Sequence, residues 1–137
     1  MTRILVIEDQ AKIREDVLEL LEMEGFEVCG AHNGQIGAQL AREHQPDLII
    51  CDIMMPGMDG YTVLMSLQHT PDTATIPFIF LTGRADRESQ RQGMELGADD
   101  YVTKPFTRAE LLAAITTRLH KQAAVERKYA NNMDSAG

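Results

Sequence analysis

Four apolar residues in succession, Leu48-Ile49-Ile50-Cys51, run into a carboxylate at Asp52 and then into a turn-rich loop, Met54-Met55-Pro56-Gly57-Met58-Asp59-Gly60. An apolar run that short and continuous suits a strand buried on both faces, as in a parallel sheet. It stops at an acid where another Val or Ile would have continued it. Pro and Gly then shape the backbone beyond. A charged group therefore sits at the carboxyl end of a buried strand, where open α/β sheets gather their chemistry.

The rest of the chain repeats the alternation. Arg3–Ile7 is a predicted strand ending in Glu8-Asp9, and Gln10–Glu24 a helix with Ile13, Val17, Leu20 and Leu21 on one face, closed by Gly25. Phe26–Ala31 alternates like an edge strand with one wetter face. Asn33 caps a helix through about His44 with Ile36, Leu40 and Ala41 inward. After the central strand comes a helix over Tyr61–His69, then a doubly buried strand Phe78–Leu81 ending in Thr82-Gly83. Arg84–Leu96 is a polar helix closed by Gly97, and Asp100–Thr103 a short last strand before Lys104-Pro105-Phe106. Thr107 and Glu110 form a capping box, and the helix behind them buries Leu111, Leu112, Ile115 and Leu119. Five strands alternating with five helices give an α/β fold, a doubly wound parallel sheet with helices on both faces. Pattern alone leaves the strand order open.

A length of 137 residues suits one domain, and no apolar run approaches membrane-spanning length. The start, Met1-Thr2-Arg3, carries no signal-peptide pattern, so the expected compartment is the cytoplasm and no membrane association is expected. The net charge is -8, with twelve acids against four basic residues in 1–60 and nine of each in 61–137. A phosphate backbone would meet an acidic front half, which disfavours direct nucleic-acid binding. A divalent cation fits such a cluster better. Cys29 and Cys51 fall in predicted strands; if these flank a common strand they lie ~9–10 Å apart, beyond disulfide reach. Both are expected as small buried hydrophobes.

In a parallel sheet the strand ends share one edge, so Glu8-Asp9, Asp52, Thr82 and Lys104 converge. Each has a bland explanation alone: acids at a helix start, turn chemistry, a β-branched strand residue, a solvated lysine. Together they gather three carboxylates, a hydroxyl and an ammonium. Like charges held that close need a neutralising cation, and Mg²⁺ or Mn²⁺ suits oxygen ligands of this kind. A carboxylate beside such a cation, with a Lys and a hydroxyl alongside, can attack phosphorus and form an aspartyl phosphate.

The elements V-I-E-D at 6–9, D-I-M-M-P-G-M-D-G at 52–60, L-T-G at 81–83 and K-P-F at 104–106 resemble the receiver domain of two-component response regulators, over residues 3 to about 120. The resemblance implies the flavodoxin-like strand order 2-1-3-4-5. It implies that Asp52 is the phosphoacceptor and that Asp9 holds Mg²⁺ directly, Glu8 through water and Met54 by its backbone carbonyl. It gives Thr82 and Lys104 contacts to phosphoryl oxygens, a cis Lys104–Pro105 bond, and Tyr101 as a switch aromatic that turns inward when Thr82 moves. Glu8 departs from the commoner Asp, and Met54 and Arg84 occupy positions that tune phosphoryl lifetime in that family.

The implied function is a signalling module rather than an enzyme, one that takes part in its own phosphotransfer. Its implied partners are a histidine kinase or phosphotransfer protein and a downstream effector protein or fused effector domain. A phosphorylation-dependent dimer is a further expectation. A Mg²⁺-dependent aspartyl-phosphate phosphohydrolase is the enzymatic rival, but it wants a second Asp where Met54 stands. A flavin module would want a phosphate loop where Glu8-Asp9 stand. A third alternative is a receiver-like binding module that works without phosphorylation. Arg84, Arg87 and Arg91 form a basic stripe, either solvated or part of a partner surface. Residues 1–120 are expected to be the receiver, and 121–137 a helical extension fraying into a disordered tail, or a truncated linker.

Overall fold

The computed structural model describes residues 1–83 and 87–136. Five strands, β1 (Arg3–Ile7), β2 (Glu27–Ala31), β3 (Leu48–Asp52), β4 (Phe78–Gly83) and β5 (Asp100–Lys104), alternate with α1 (Ala11–Met23), α2 (Gly34–His44), α3 (Gly60–Gln68), α4 (Arg87–Glu95) and α5 (Arg108–Ala136). All pairings are parallel, in the order β2-β1-β3-β4-β5. This is the doubly wound, flavodoxin-like arrangement expected from the sequence.

The pleat explains why the central strands are apolar throughout. Leu5, Ile7, Ile49, Cys51, Phe78 and Phe80 face one side, where Ala38 and Ala41 of α2 and Val63, Leu64 and Leu67 of α3 cover them. Ile4, Val6, Leu48, Ile50, Ile79 and Leu81 face the other, against Val17 and Leu21 of α1 and Leu111 and Ile115 of α5. Successive side chains thus enter opposite cores, so a polar residue is tolerated only at a strand end. Asn33 caps α2 by accepting from Ile36 N–H at 2.8 Å, and Thr107 and Glu110 make the reciprocal bonds of the capping box at 3.1 and 3.4 Å.

One detail differs from expectation. Cys51 is buried but Cys29, on the edge strand, is only half-buried; both thiols are free, and burial pushes that of Cys51 up. The expected helix start at Arg84 lies outside the described residues, and α4 begins at Arg87. Beyond His120 α5 continues to Ala136. Residues 121–128 are mostly Ala, Lys, Arg, Gln and Glu, strong helix formers, and Gln122 bonds Glu126 one turn on at 3.4 Å. Among the described residues, no helix is long and apolar enough to cross a membrane.

Candidate functional site

The carboxyl edge of the sheet brings β1, β3, β4 and β5 to one place. Asp52 closes β3 and is 5% exposed; Glu8 follows β1 and is fully buried. Its backbone is held on both sides, Glu8 N–H donating to Ala31 O at 3.0 Å and Arg14 Nη1 donating to Glu8 O at 2.8 Å. Glu8, Asp9 and Asp52 each offer a carboxylate oxygen within 4.8 Å of the other two. Lys104 enters from the end of β5. Its Nζ lies 3.0 Å from Glu8 Oε1 and 3.4 Å from Asp52 Oδ1.

One ammonium among three carboxylates leaves the group short of positive charge. Two buried oxygens, Glu8 Oε2 and Asp9 Oδ1, have no hydrogen-bond partner among the described residues. Buried acceptors of that kind are costly unless something donates to or coordinates them. Burial raises the Glu8 carboxyl to about 7; the Lys104 hydrogen bond opposes that rise and the nearby Asp52 charge adds to it. The donor set is all oxygen, which fits a hard divalent cation.

The acceptor side is open to chemistry. Met54 N–H donates to Asp52 Oδ1 at 3.3 Å, fixing the carboxylate as the loop turns away, and the Met54 side chain is 70% exposed. Gly57 takes a positive φ of 76° within that loop. Gly60 then lies so close beneath the strand end that a Cβ would meet Asp52 O at 2.4 Å, and its N–H donates to Ile53 O at 2.9 Å. Thr82 is buried at the end of β4, and among the described residues its hydroxyl makes only a long 3.5 Å contact to Gly83 O.

The structure thus brings Glu8, Asp9, Asp52 and Lys104 together as one group, with Thr82 near the carboxyl end of the adjacent strand β4. The Lys104–Pro105 bond is cis. Tyr101 stands on the outer strand, 39% exposed, opposite Phe80 in register. Arg84 lies outside the described residues. Arg91 is spent on its own helix, paired with Glu88 and, at 3.6 Å, with Glu95. Arg14 and Gly60 were not singled out from the sequence. The Arg14 side chain acts on the backbone carbonyl of Glu8 and Gly60 acts through its own backbone, neither of which residue type announces.

The model of the response regulator receiver domain matches residues 4–116. The phosphate regulon transcriptional regulatory protein PhoB of Pseudomonas aeruginosa is 40% identical over 118 residues, covering 86% of this chain and 52% of its own. The DNA-binding dual master transcriptional regulator RpaA of Synechocystis is 43% identical over 121 residues, covering 88% and 50%. The chain thus spans about half the length of these curated relatives. Among solved structures, a response regulator receiver domain protein from Clostridium thermocellum superposes with a TM-score of 0.85 at 30% identity, covering 91% of this chain and 99% of that one. The receiver domain of a sensor histidine kinase from Pseudomonas aeruginosa, with a magnesium ion coordinated in its active-site cleft, superposes at 0.81 with 26% identity, covering 87% and 98%.

Proposed function

The chain belongs to the response regulator receiver domain family, and on that premise we propose that Asp52 accepts a phosphoryl group from a histidine kinase or phosphotransfer protein. The observation that carries this is the placing of Lys104 Nζ against both Asp52 and Glu8, beside two partnerless acidic oxygens. An Asp52 oxygen attacks phosphorus while the bond from phosphorus to the donor's imidazole nitrogen breaks, and that nitrogen takes up a proton. Lys104, now 3.4 Å from Asp52, turns to a phosphoryl oxygen as a point charge. Thr82, weakly held at 3.5 Å, donates its hydroxyl to another.

Glu8, Asp9 and Asp52, with the Met54 carbonyl, would hold Mg²⁺ or Mn²⁺. Such an ion supplies neutralisation of the charge that develops on the transferring group. The gain of about -1.5 to -2 in charge at Asp52 then biases a two-state surface toward a downstream effector, as a separate protein or a fused domain. The chain acts as a signalling phosphoacceptor, not as an enzyme turning over a separate substrate. Direct nucleic-acid contact is not part of this reading, because the site half of the chain is acidic.

Incubation with acetyl phosphate and Mg²⁺ should add one base-labile phosphoryl group, located at Asp52 by mass spectrometry. Labelling undiminished in Asp52→Asn would overturn the assignment.

A further inference from the structure

Glu8 and Asp9 hang from the two ends of one planar peptide, the unit that carries the Glu8 carbonyl and the Asp9 N–H. Where that plane points decides where both carboxylates point, because each side chain starts from a Cα at its edge. Two bonds fix it. Glu8 N–H donates to Ala31 O at 3.0 Å, and Arg14 Nη1 donates to Glu8 O at 2.8 Å. The first extends the pairing of β1 with β2 by one residue. The second comes from a side chain on α1, six residues further along the chain.

Arg14 is surrounded in sequence by Glu8, Asp9, Glu15 and Asp16, yet among the described residues its guanidinium makes no ion pair. Its donor is spent on a carbonyl instead. The side chain is held in place from two directions. Its own N–H bonds Gln10 O at 3.0 Å in the first turn of α1. Its stem lies over Gly30 of β2, where a Cβ would stand 3.5 Å from Arg14 Cδ, 3.7 Å from Cγ and 2.9 Å from Leu18 Cδ1. Glu8 Oε2 and Asp9 Oδ1, the two oxygens without a partner among the described residues, belong one to each end of the peptide that Arg14 holds. They can share one ion only if they are aimed at one point.

We propose that Arg14 is a positioning residue for the cation: by holding the Glu8 carbonyl it aims Glu8 and Asp9 together, and so sets how tightly a divalent ion is bound. This rests on the reading that Glu8, Asp9 and Asp52 hold the ion. Arg14 acts through the backbone and not as a ligand, since a guanidinium has donors and no acceptor.

Charge and position act on this affinity with opposite signs. A guanidinium near a cation site repels the ion, so on charge alone its removal tightens binding. Loss of a support that aims two ligands weakens binding, by about ten- to a hundredfold for outer supports of metal sites.

The experiment measures the Kd for Mn²⁺ on the full chain by relaxation of water protons, with denaturant unfolding in chelator to show that each variant is folded. Arg14→Met keeps the stem over Gly30 and removes donor and charge; affinity should fall about tenfold. Arg14→Lys returns a charge and a donor, and should recover affinity to within about threefold of the parent. Leu18→Ala loosens α1 over Gly30 without removing the bond to the Glu8 carbonyl. It should destabilise the fold and leave affinity unchanged. A Met variant that binds Mn²⁺ as tightly as the parent, or more tightly, would overturn the proposal while leaving the metal reading intact. So would a Lys variant no better than Met, or an equal fall in Leu18→Ala. A parent that binds no Mn²⁺ would overturn the metal reading and this proposal with it.

Discussion

Lys104 Nζ and Glu8 Oε1 lie 3.0 Å apart although 96 residues separate them in the chain, and Glu8 is fully buried. The ammonium answers only one of its oxygens, and burial holds the Glu8 carboxyl at about 7 against an ordinary 4.5. The folded state without metal therefore binds a proton there more tightly than the unfolded chain does.

That fixes the sign of a pH effect. A raised carboxyl contributes stability that is fully present below 4.5 and lost as pH rises through about 7. In chelator, denaturant unfolding should show the parent losing stability over that window relative to Glu8→Gln, by at most about 1.4 kcal/mol per pH unit. Added Mg²⁺ should flatten the difference, since the cation favours the ionised carboxylate. Parallel curves for parent and variant would show that Glu8 carries no such proton.

Metal binding has a separate signature. Asp9 Oδ1 is buried without a partner among the described residues, so Asp9→Ala removes a ligand and no described protein contact of that atom. Its affinity for Mn²⁺, followed by relaxation of water protons, should fall at least about tenfold, with little loss of folding stability in chelator. An unchanged affinity would place the ion elsewhere.

The sequence made the sheet edge legible because a carboxylate ending a doubly buried strand has no packing reason to be there, and Glu8-Asp9, Asp52, Thr82 and Lys104 all end strands. It could not show which oxygen of Glu8 meets Lys104, because a gap of 96 residues has no periodicity. Nor could it show that Gly60 serves close approach instead of turn flexibility. Its Asp-Gly context is ordinary turn chemistry. α4 read as an ordinary polar helix, and the bonds that Tyr61 and Gln68 donate to Ser89 O and Leu96 O end on backbone carbonyls that no pattern marks.

Gly60→Ala tests whether the site depends on that close approach. The new Cβ would meet backbone, Asp52 O at 2.4 Å and Ile53 Cα at 2.9 Å, so the strand end must move. A loss of about 1–3 kcal/mol of stability is expected, with slower labelling of the folded fraction by acetyl phosphate. Gly37→Ala is the control: the three atoms nearest its Cβ would all belong to the Ile7 side chain, Cδ1 at 2.5 Å, and none to the backbone of the Asp52 strand. It should destabilise without slowing labelling. Equal labelling rates for the two variants would show that the acceptor tolerates movement of its strand end.

The lifetime of the phosphoryl group turns on Met54. Hydrolysis needs a water in line with phosphorus, held by a hydrogen-bonding side chain on the open face of the site. Met54 stands two residues beyond the acceptor with its N–H on Asp52 Oδ1 and its side chain 70% exposed. A thioether is a weak acceptor and no donor, and its apolar length crowds the approach. Slow self-dephosphorylation is therefore expected, which suits a regulator that must persist while it engages a partner. Met54→Asn keeps the backbone bond to Asp52 and adds an amide that can hold the water. It should shorten the half-life about tenfold, equivalent to about 1.4 kcal/mol of barrier, in a pulse-chase of labelled protein after removal of acetyl phosphate. The exposed position means folding stability should barely change, which separates water access from a loosened loop. A variant that holds its phosphate as long as the parent would show that this side chain does not govern the attacking water.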